Sequence, residues 1–284
     1  MSNGTVSFDA FPPAEMAAKA EGVGVKKAGL DAATMFALAI LAGAFIGCGA
    51  IFCTTVLAGT SSLPYGVQRL LGGLVFTLGL ILVVVGGSEL FTGNNLILMA
   101  FANKKVPISG LLRNWVIVYV GNFVGSILTA GIMFIGQQYK FGGGAVGITA
   151  LSIGNAKCSL GFLQAVALGI MCNALVCMAV WMCFSARSTT DKILAIIPPI
   201  AAFVAAGFEH SIANMYFIPI ALFVKGDAGF LTSLADKAPN IANLTWGNFF
   251  IANLLPVTIG NIIGGAGMVG LVYWFIYLRT QKKA

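Results

Sequence analysis

Two eight-residue stretches of this chain share one pattern: residues 87–94 read GSELFTGN, and residues 207–214 read GFEHSIAN. Both fit G-x-E-x-x-x-x-N. Each lies inside an apolar stretch that is longer than the roughly 20 helical residues a bilayer requires. Glycine and polar residues in the middle of such a stretch indicate an interruption, and we therefore predict a broken membrane helix at each site.

The composition places the whole chain in a membrane. Of its 284 residues, 58% are hydrophobic and only 9% are charged, whereas soluble domains carry about 25% charged residues. Six stretches are long and apolar enough to span the hydrocarbon core. They are residues 33–57, 69–101, 112–136, 160–184, 192–225 and 248–278. We predict an all-α integral membrane protein with six transmembrane helices, of which the second and fifth are broken.

The basic residues predict the orientation of these spans. An even number of spans places both termini on one side, and that side carries eleven of the Lys and Arg residues against five on the other. The positive-inside rule then places both termini in the cytoplasm, with the spans in the cytoplasmic membrane. We expect a cytoplasmic amphipathic segment over residues 1–32, the pore domain over 33–278, and a cytoplasmic tail over 279–284. Because the basic residues stand singly at span ends, the net charge of +7 does not indicate a nucleic-acid partner.

A second repeated motif follows each predicted break. Residues 114–125 and 253–264 both fit N-x6-G-N-x2-G, and each includes a G-x-x-x-G pair, which lets helix backbones approach closely. Each repeat unit holds three spans, an odd number, so the second unit enters the membrane from the opposite face. Two inverted repeats with a discontinuous helix in each are a channel and transporter architecture. Unwound backbone at that depth has to be buried in protein or to face a cavity.

Two glutamates occupy equivalent positions in the breaks. Glu89 and Glu209 are the acids that we place at depth in the spans. A carboxylate there is costly unless it is paired, hydrogen-bonded or protonated. Their equivalence favours a role in bracing the unwound backbone over contact with a solute, and we assign the same helix-break support to Asn94 and Asn214, which close the two motifs.

His210 is the only histidine, and its repeat equivalent is Leu90. A bracing residue would have a counterpart in both halves, and this one does not. Imidazole titrates near neutrality, so in a pore it can lend a proton or a hydrogen bond to a weak-acid anion. The alternative is a core histidine with satisfied hydrogen bonds. Thr92, in the opposite break, offers a hydroxyl that could face the ring.

Large apolar side chains flank the breaks, and they have two interpretations. Phe76, Leu80, Phe91 and Phe203 either pack the helices or form constrictions that strip water from a solute.

The sequence contains no motif that indicates catalysis or cofactor binding. It has no histidine pair for haem or metal, no phosphate-binding glycine loop, and no set of nucleophile, base and acid. The six cysteines show no C-x-x-C spacing, which favours packing over metal or disulfide roles. We expect no enzyme activity, no cofactor and no metal site.

Four stretches carry a resemblance to a known family. They read LPYGVQRLLGGLVFTLGLILVVVGGSELFTGN, RNWVIVYVGNFVGS, GFEHSIANM and LLPVTIGNIIGG. With these the chain resembles the formate/nitrite transporter family, and most closely its formate channel branch, along essentially its whole length. The resemblance implies an aquaporin-like fold and a homopentamer with one pore in each protomer.

The resemblance also implies roles for single residues. It matches Leu80 and Phe203 to constriction residues, with Phe76, Phe91 and Val176 nearby. It matches Thr92 and His210 to a central polar pair, with Asn173 as their neighbour. Lys157 matches a basic residue of the outer vestibule, which would draw the anion in. The implied function is transport of formate with proton exchange at His210, either as anion channel or as proton-coupled transport.

Other solutes remain as alternatives. Nitrite, hydrosulfide and lactate are also small weak-acid anions, and the GFEHSIANM break does not separate them from formate. A neutral-solute facilitator is an alternative of a different class. Such a channel would be expected to carry two Asn-Pro-Ala breaks, and here neither break contains proline.

Overall fold

A computed structural model describes residues 9–280 of the chain, and within that range every regular element is a helix. The helices are α1 (Pro13–Ala28), α2 (Ala32–Leu57), α3 (Tyr65–Gly86), α4 (Phe91–Ala102), α5 (Ile108–Ile135), α6 (Ala145–Cys158), α7 (Phe162–Ser185), α8 (Thr189–Ala206), α9 (Ser211–Lys225), α10 (Ala228–Leu234) and α11 (Trp246–Tyr277). Short 3-10 turns lie within α4 at Asn95–Ile97 and in two loops at Gln138–Lys140 and Ala235–Lys237. Helix α11 contains two π-helical segments, Phe249–Leu254 and Ile263–Leu271.

Six of these helices are long and apolar enough to cross a membrane, namely α2, α3, α5, α7, α8 and α11. The prediction of an all-α protein with six transmembrane helices is therefore confirmed. The second predicted span corresponds to α3 followed by α4, and the fifth to α8 followed by α9. Both are interrupted where predicted, at residues 87–90 and 207–210. Span boundaries differ from the predicted ones by a few residues, because helix ends depend on caps that hydropathy does not report.

Two shorter helices, α1 and α6, each precede a set of three spans. Helix α1 comes before α2, and α6 comes before α7. Helix α1 starts with Pro13 at its first position, which suits a residue without a backbone N–H, and it ends with Lys26 and Lys27. Helix α6 ends one residue after Lys157. Hydropathy did not predict α6, because its 14 residues are too few for a span. One signal was available: Lys-x-x-Leu occurs at residues 27–30 and again at 157–160.

The buried side chains form a core between the two breaks, and the outer faces of the spans are apolar. Phe76, Leu80 and Phe203 belong to this core. Large apolar residues such as Ile132 and Ile135 on α5 are exposed, as expected of surfaces that contact lipid or another subunit. The predicted amphipathic segment and tail are described only over residues 9–32 and 279–280; residues 1–8 and 281–284 lie outside the described range.

Candidate functional site

Both breaks begin at a glycine in the left-handed region. Helix α3 ends before Gly87 at φ +78°, and α8 ends before Gly207 at φ +77°. Only glycine adopts this conformation without strain, so the chain turns out of the helix at these two positions. Two residues later, the backbone N–H of Glu89 donates to the Leu38 carbonyl in α2, and that of Glu209 donates to the Leu168 carbonyl in α7, both at 3.3 Å.

Asn122 satisfies two more backbone groups of the first break. Its side-chain oxygen accepts from the Phe91 N–H at 2.9 Å, and its amide donates to the carbonyls of Glu89 at 2.9 Å and Ala39 at 2.7 Å. Backbone polar groups at membrane depth have no water to bind, so such a partner is required. One asparagine side chain thereby ties the break to α2 and α5.

Asn261 does the same for the second break. It accepts from the Ser211 N–H and donates to the carbonyls of Glu209 and Gly169, each at 2.9 Å. Asn122 and Asn261 are the asparagines of the G-N pair in the second repeated motif. The motif is visible in the sequence, but the role of these residues is not, since their partners lie on other helices.

Each glutamate of the breaks is paired with a lysine and an asparagine. Glu89 Oε1 lies 2.7 Å from Lys27 Nζ, and its Oε2 accepts from Asn94 at 2.6 Å. The Asn94 amide also donates to Asn114 Oδ1 at 2.9 Å. The structure therefore brings Glu89 and Asn94 together. It adds Lys27, which no sequence pattern singled out, and Asn114, which begins the second repeated motif but was given no role there.

The second cluster repeats the first. Glu209 Oε1 lies 2.8 Å from Lys157 Nζ, and its Oε2 accepts from Asn214 at 2.7 Å. Asn214 in turn donates to Asn253 at 2.7 Å. Lys157 is thus the counterpart of Lys27 and forms an ion pair with a buried carboxylate. Lys157 also lines one of the cavities described below, and its charge there is shared with Glu209.

His210 and Thr92 meet across the two breaks. The ring Nε2 lies 2.9 Å from Thr92 Oγ1, and Nδ1 accepts the Ala213 N–H at 3.0 Å, so that His210 caps the start of α9. Because Nδ1 uses its lone pair in this cap, the proton of the neutral ring is assigned to Nε2, which donates to Thr92. Both side chains are buried. The pair presents one N–H and one hydroxyl at the point where the two halves touch.

Asn173 holds the backbone next to this pair. Its amide lies 2.7 Å from the Asn261 carbonyl, 3.0 Å from Asn95 Oδ1 and 3.3 Å from the Thr92 carbonyl. The predicted neighbour of the polar pair therefore lies beside it and contacts the main chain of Thr92.

The aromatic residues divide into two groups. The Phe203 ring lies edge to face against Phe76, with centroids 5.8 Å apart, and nearly parallel to the His210 ring at 5.9 Å. Phe91 instead contacts Tyr119 at 4.9 Å and Trp115 at 6.0 Å. Phe76 and Phe203 are thus placed at the polar pair, whereas the Phe91 ring packs towards α5.

Two cavities open at opposite ends of α3 and α8. The first cavity measures about 570 Å³, and the second about 310 Å³. Leu80 lines the first, whereas Phe76, Phe203 and His210 line the second. Leu80 and Phe76 are one helical turn apart, so the two cavities approach each other at these side chains. Val176 is buried and, like Phe91, lines neither cavity.

The first cavity is strongly basic. Four lysines and one glutamate line it: Lys19, Lys26, Lys27, Lys192 and Glu89. Burial lowers the pKa of Lys19, and the nearby charges of Lys192 and Arg187 lower it further. This cavity therefore concentrates positive charge at one end of the candidate path, which attracts anions.

Comparison with known proteins identifies the family of the chain. Residues 14–275 match the family model described as formate/nitrite transporter. The chain is 45% identical over 276 residues to the formate channel FocA of Escherichia coli (strain K12), covering 96% of this chain and 97% of that one. It is 38% identical over 271 residues to the formate channel FocA of Haemophilus influenzae, covering 95% of each.

Solved structures give the same result. A pentameric formate channel with formate bound superimposes with a TM-score of 0.82 at 50% identity, covering 87% of this chain and 98% of that chain. An ion channel of the FNT family superimposes with a TM-score of 0.76 at 28% identity, covering 92% and 98%. The chain belongs to the formate/nitrite transporter family.

Proposed function

We propose that this protein conducts formate across the cytoplasmic membrane through a path in each protomer of a homopentamer, with both termini in the cytoplasm. The observation that carries the proposal is the His210–Thr92 pair at 2.9 Å, which lies where two cavities approach each other behind Leu80, Phe76 and Phe203. The similarity to formate channels along nearly the whole chain supports formate as the solute.

The path poses one physical problem, the cost of moving a bare anion past apolar side chains. An unpaired charge in a dry constriction is expensive, and protonation or a strong hydrogen bond removes much of that cost. His210 is the titratable group at this point. In the resting arrangement its Nε2–H is available as a hydrogen-bond donor, and Thr92 Oγ1 is the group that formate would displace.

Proton exchange at His210 needs a further step. A neutral imidazole that gave away its Nε2 proton would become an anion, so the ring first has to gain a proton at Nδ1. That nitrogen accepts the Ala213 N–H at 3.0 Å, and protonation of Nδ1 breaks this bond. We propose that His210 becomes doubly protonated only during transport and passes the Nε2 proton to formate, which leaves the ring with its proton on Nδ1. The capping arrangement returns when Nε2 takes up a new proton and Nδ1 releases its own, so that Nδ1 again accepts the Ala213 N–H.

Formate uptake by the His210→Asn variant in proteoliposomes tests the proton role. Wild-type uptake is expected to rise as the pH falls from about 7 to about 5, because each transfer to formate consumes a proton. The variant should show a markedly flatter pH dependence, because asparagine donates a hydrogen bond without titrating. Thr92→Ser, which keeps the hydroxyl, serves as the control and should retain the wild-type slope. A variant with unchanged pH dependence would refute proton exchange at His210.

A competition panel separates formate from the other solutes. Unlabelled formate, nitrite, hydrosulfide and lactate are each added as competitors of labelled formate uptake in the same proteoliposomes. We expect unlabelled formate to inhibit this uptake most strongly. The rate at which the proteoliposomes swell in glycerol or urea tests the neutral-solute alternative. This rate should be no faster than that of protein-free vesicles. Faster uptake of another anion than of formate would reassign the substrate within the family.

A further inference from the structure

The charge of Lys157 is already compensated in the second cavity. Its Nζ lies 2.8 Å from Glu209 Oε1, and the two side chains are only 16% and 6% exposed. The ammonium also faces the Phe217 ring at 5.5 Å. An incoming anion meets a neutral pair here, and to bind Lys157 it would have to displace a buried carboxylate. The pair therefore adds no net positive charge to this cavity.

Arg69 lines the same cavity and carries a positive charge. Within the described range, residues 9–280, no carboxylate forms an ion pair with it. The other charged lining residues are Lys157 and Glu209, which cancel, and we assign His210 as neutral. The net formal charge of the second cavity therefore equals the single charge of Arg69.

The structure also holds the guanidinium group in place. Nε donates to the Ala205 carbonyl at 3.2 Å, and Nη2 donates to the Val204 carbonyl. These carbonyls belong to the last turn of α8, immediately before the break, where cations are favoured. A Cβ atom on Gly207 would lie 3.5 Å from Nη2, so Arg69 packs directly over the start of the second break.

Arg69 is aligned with the constriction. Arg69, Phe76 and Leu80 follow each other at intervals of seven and four residues along α3, and this spacing places them on one face of the helix. Seven residues correspond to about 10 Å along the axis. The main chain of Arg69 therefore lies about two turns from that of Phe76, on the side of the second cavity.

We propose that Arg69, and not Lys157, is the residue that captures the anion in the second cavity, while Lys157 neutralises Glu209. This inference rests on the proposed transport of formate. A unit charge about 10 Å from the binding position changes anion occupancy by roughly three- to tenfold at the dielectric constants between protein surface and water. Loss of the charge should therefore raise the half-saturating formate concentration and leave the maximal rate nearly unchanged.

Flux in oriented vesicles tests the proposal. The full-length protein is produced in cells that lack their own formate carriers, and initial rates of formate uptake are measured in right-side-out and in inside-out membrane vesicles. Arg69→Gln removes the charge and keeps hydrogen-bond donors; Arg69→Lys keeps the charge. We expect Arg69→Gln to raise the half-saturating concentration about three- to tenfold in one vesicle type only, and Arg69→Lys to stay within about twofold of wild type.

Ionic strength provides the second readout. Raising the salt concentration from about 0.02 M to about 0.5 M should weaken wild-type uptake from the Arg69 side and have little effect on Arg69→Gln, because the charge that salt screens is missing. The proposal is overturned if Arg69→Gln keeps the wild-type half-saturation and salt dependence. It is also overturned if both variants lower only the maximal rate, since Arg69 would then merely cap α8. If wild-type vesicles carry no formate at all, the proposed function itself fails.

Discussion

The buried ion pairs at the two breaks show how single residues make the unwound segments tolerable. Glu89 and Glu209 lie at positions where an isolated carboxylate would be destabilising. Lys27 and Lys157 approach them to within 2.7 and 2.8 Å. Pairs of this kind contribute little net stability when intact, but removal of one partner leaves a buried charge without compensation.

Substitution of Lys157 should therefore destabilise the protein more than substitution of both partners. Lys157→Met is expected to cost about 3–5 kcal/mol, because Glu209 is left unpaired, and the double variant Lys157→Met, Glu209→Gln should recover part of that loss. Thermal unfolding in detergent measures both.

Lys140 offers a matched control for this experiment. It lies 4.0 Å from Asp227, and its side chain is 45% exposed. An exposed pair of this kind contributes about 0–1 kcal/mol, so Lys140→Met should change the unfolding temperature little. Equal effects of Lys157→Met and Lys140→Met would contradict a supporting role for the buried pair.

Glycine contacts determine how closely the helices pack in each half. A Cβ atom on Gly125 in α5 would overlap with the Ile40 carbonyl oxygen in α2. A Cβ on Gly264 in α11 would overlap with the Ile170 carbonyl oxygen in α7. Both obstacles are backbone atoms, which cannot rotate away. These contacts bring Asn122 and Asn261, on the same helices, within reach of the breaks.

Alanine substitutions on α5 and α11 test this packing. Gly125→Ala and Gly264→Ala should each cost about 1–3 kcal/mol through overpacking, read as a lower unfolding temperature in detergent. At Gly131 in α5 and Gly267 in α11, an added Cβ would meet no atom within 4 Å. Alanine at either control site should be neutral or slightly stabilising, since it favours the helix. Equal unfolding temperatures in the two groups of variants would contradict a packing role for Gly125 and Gly264.

At the scale of the whole molecule, two basic cavities face each other across one polar pair. Each described protomer contains both cavities and both breaks, so the candidate path needs no residue from a second subunit. The exposed apolar faces of the spans leave room for subunit contacts. In detergent we expect a protein mass about five times the 29.5 kDa of one chain, as in the pentameric relative.

Mixed pentamers test whether each protomer conducts alone. Leu80→Trp enlarges a side chain between the two cavities and is expected to block its own protomer. When this variant is coexpressed with wild type at several ratios, formate flux per pentamer should fall in direct proportion to the blocked fraction. A steeper fall would show that the subunits conduct cooperatively.

The sequence by itself determined the features that depend on local composition: the six spans, the two breaks, and the family. Hydropathy and repeated motifs carry this information within short segments. Neither signal predicted helix α6, which is too short to span, or the bracing role of Asn122 and Asn261.

Only the tertiary structure decided which side chains meet. The resemblance had already suggested that Thr92 faces His210, 118 positions away. The ion pairs to Glu89 and Glu209 join residues 62 and 52 positions apart, and no motif indicated them. Such contacts arise from how the two halves pack, which no local pattern contains. The same packing pairs Lys157 with Glu209, so that their charges cancel, and leaves Arg69 without a carboxylate partner among residues 9–280. The net charge that a solute meets depends on such pairing, and the pairing is set by the tertiary structure.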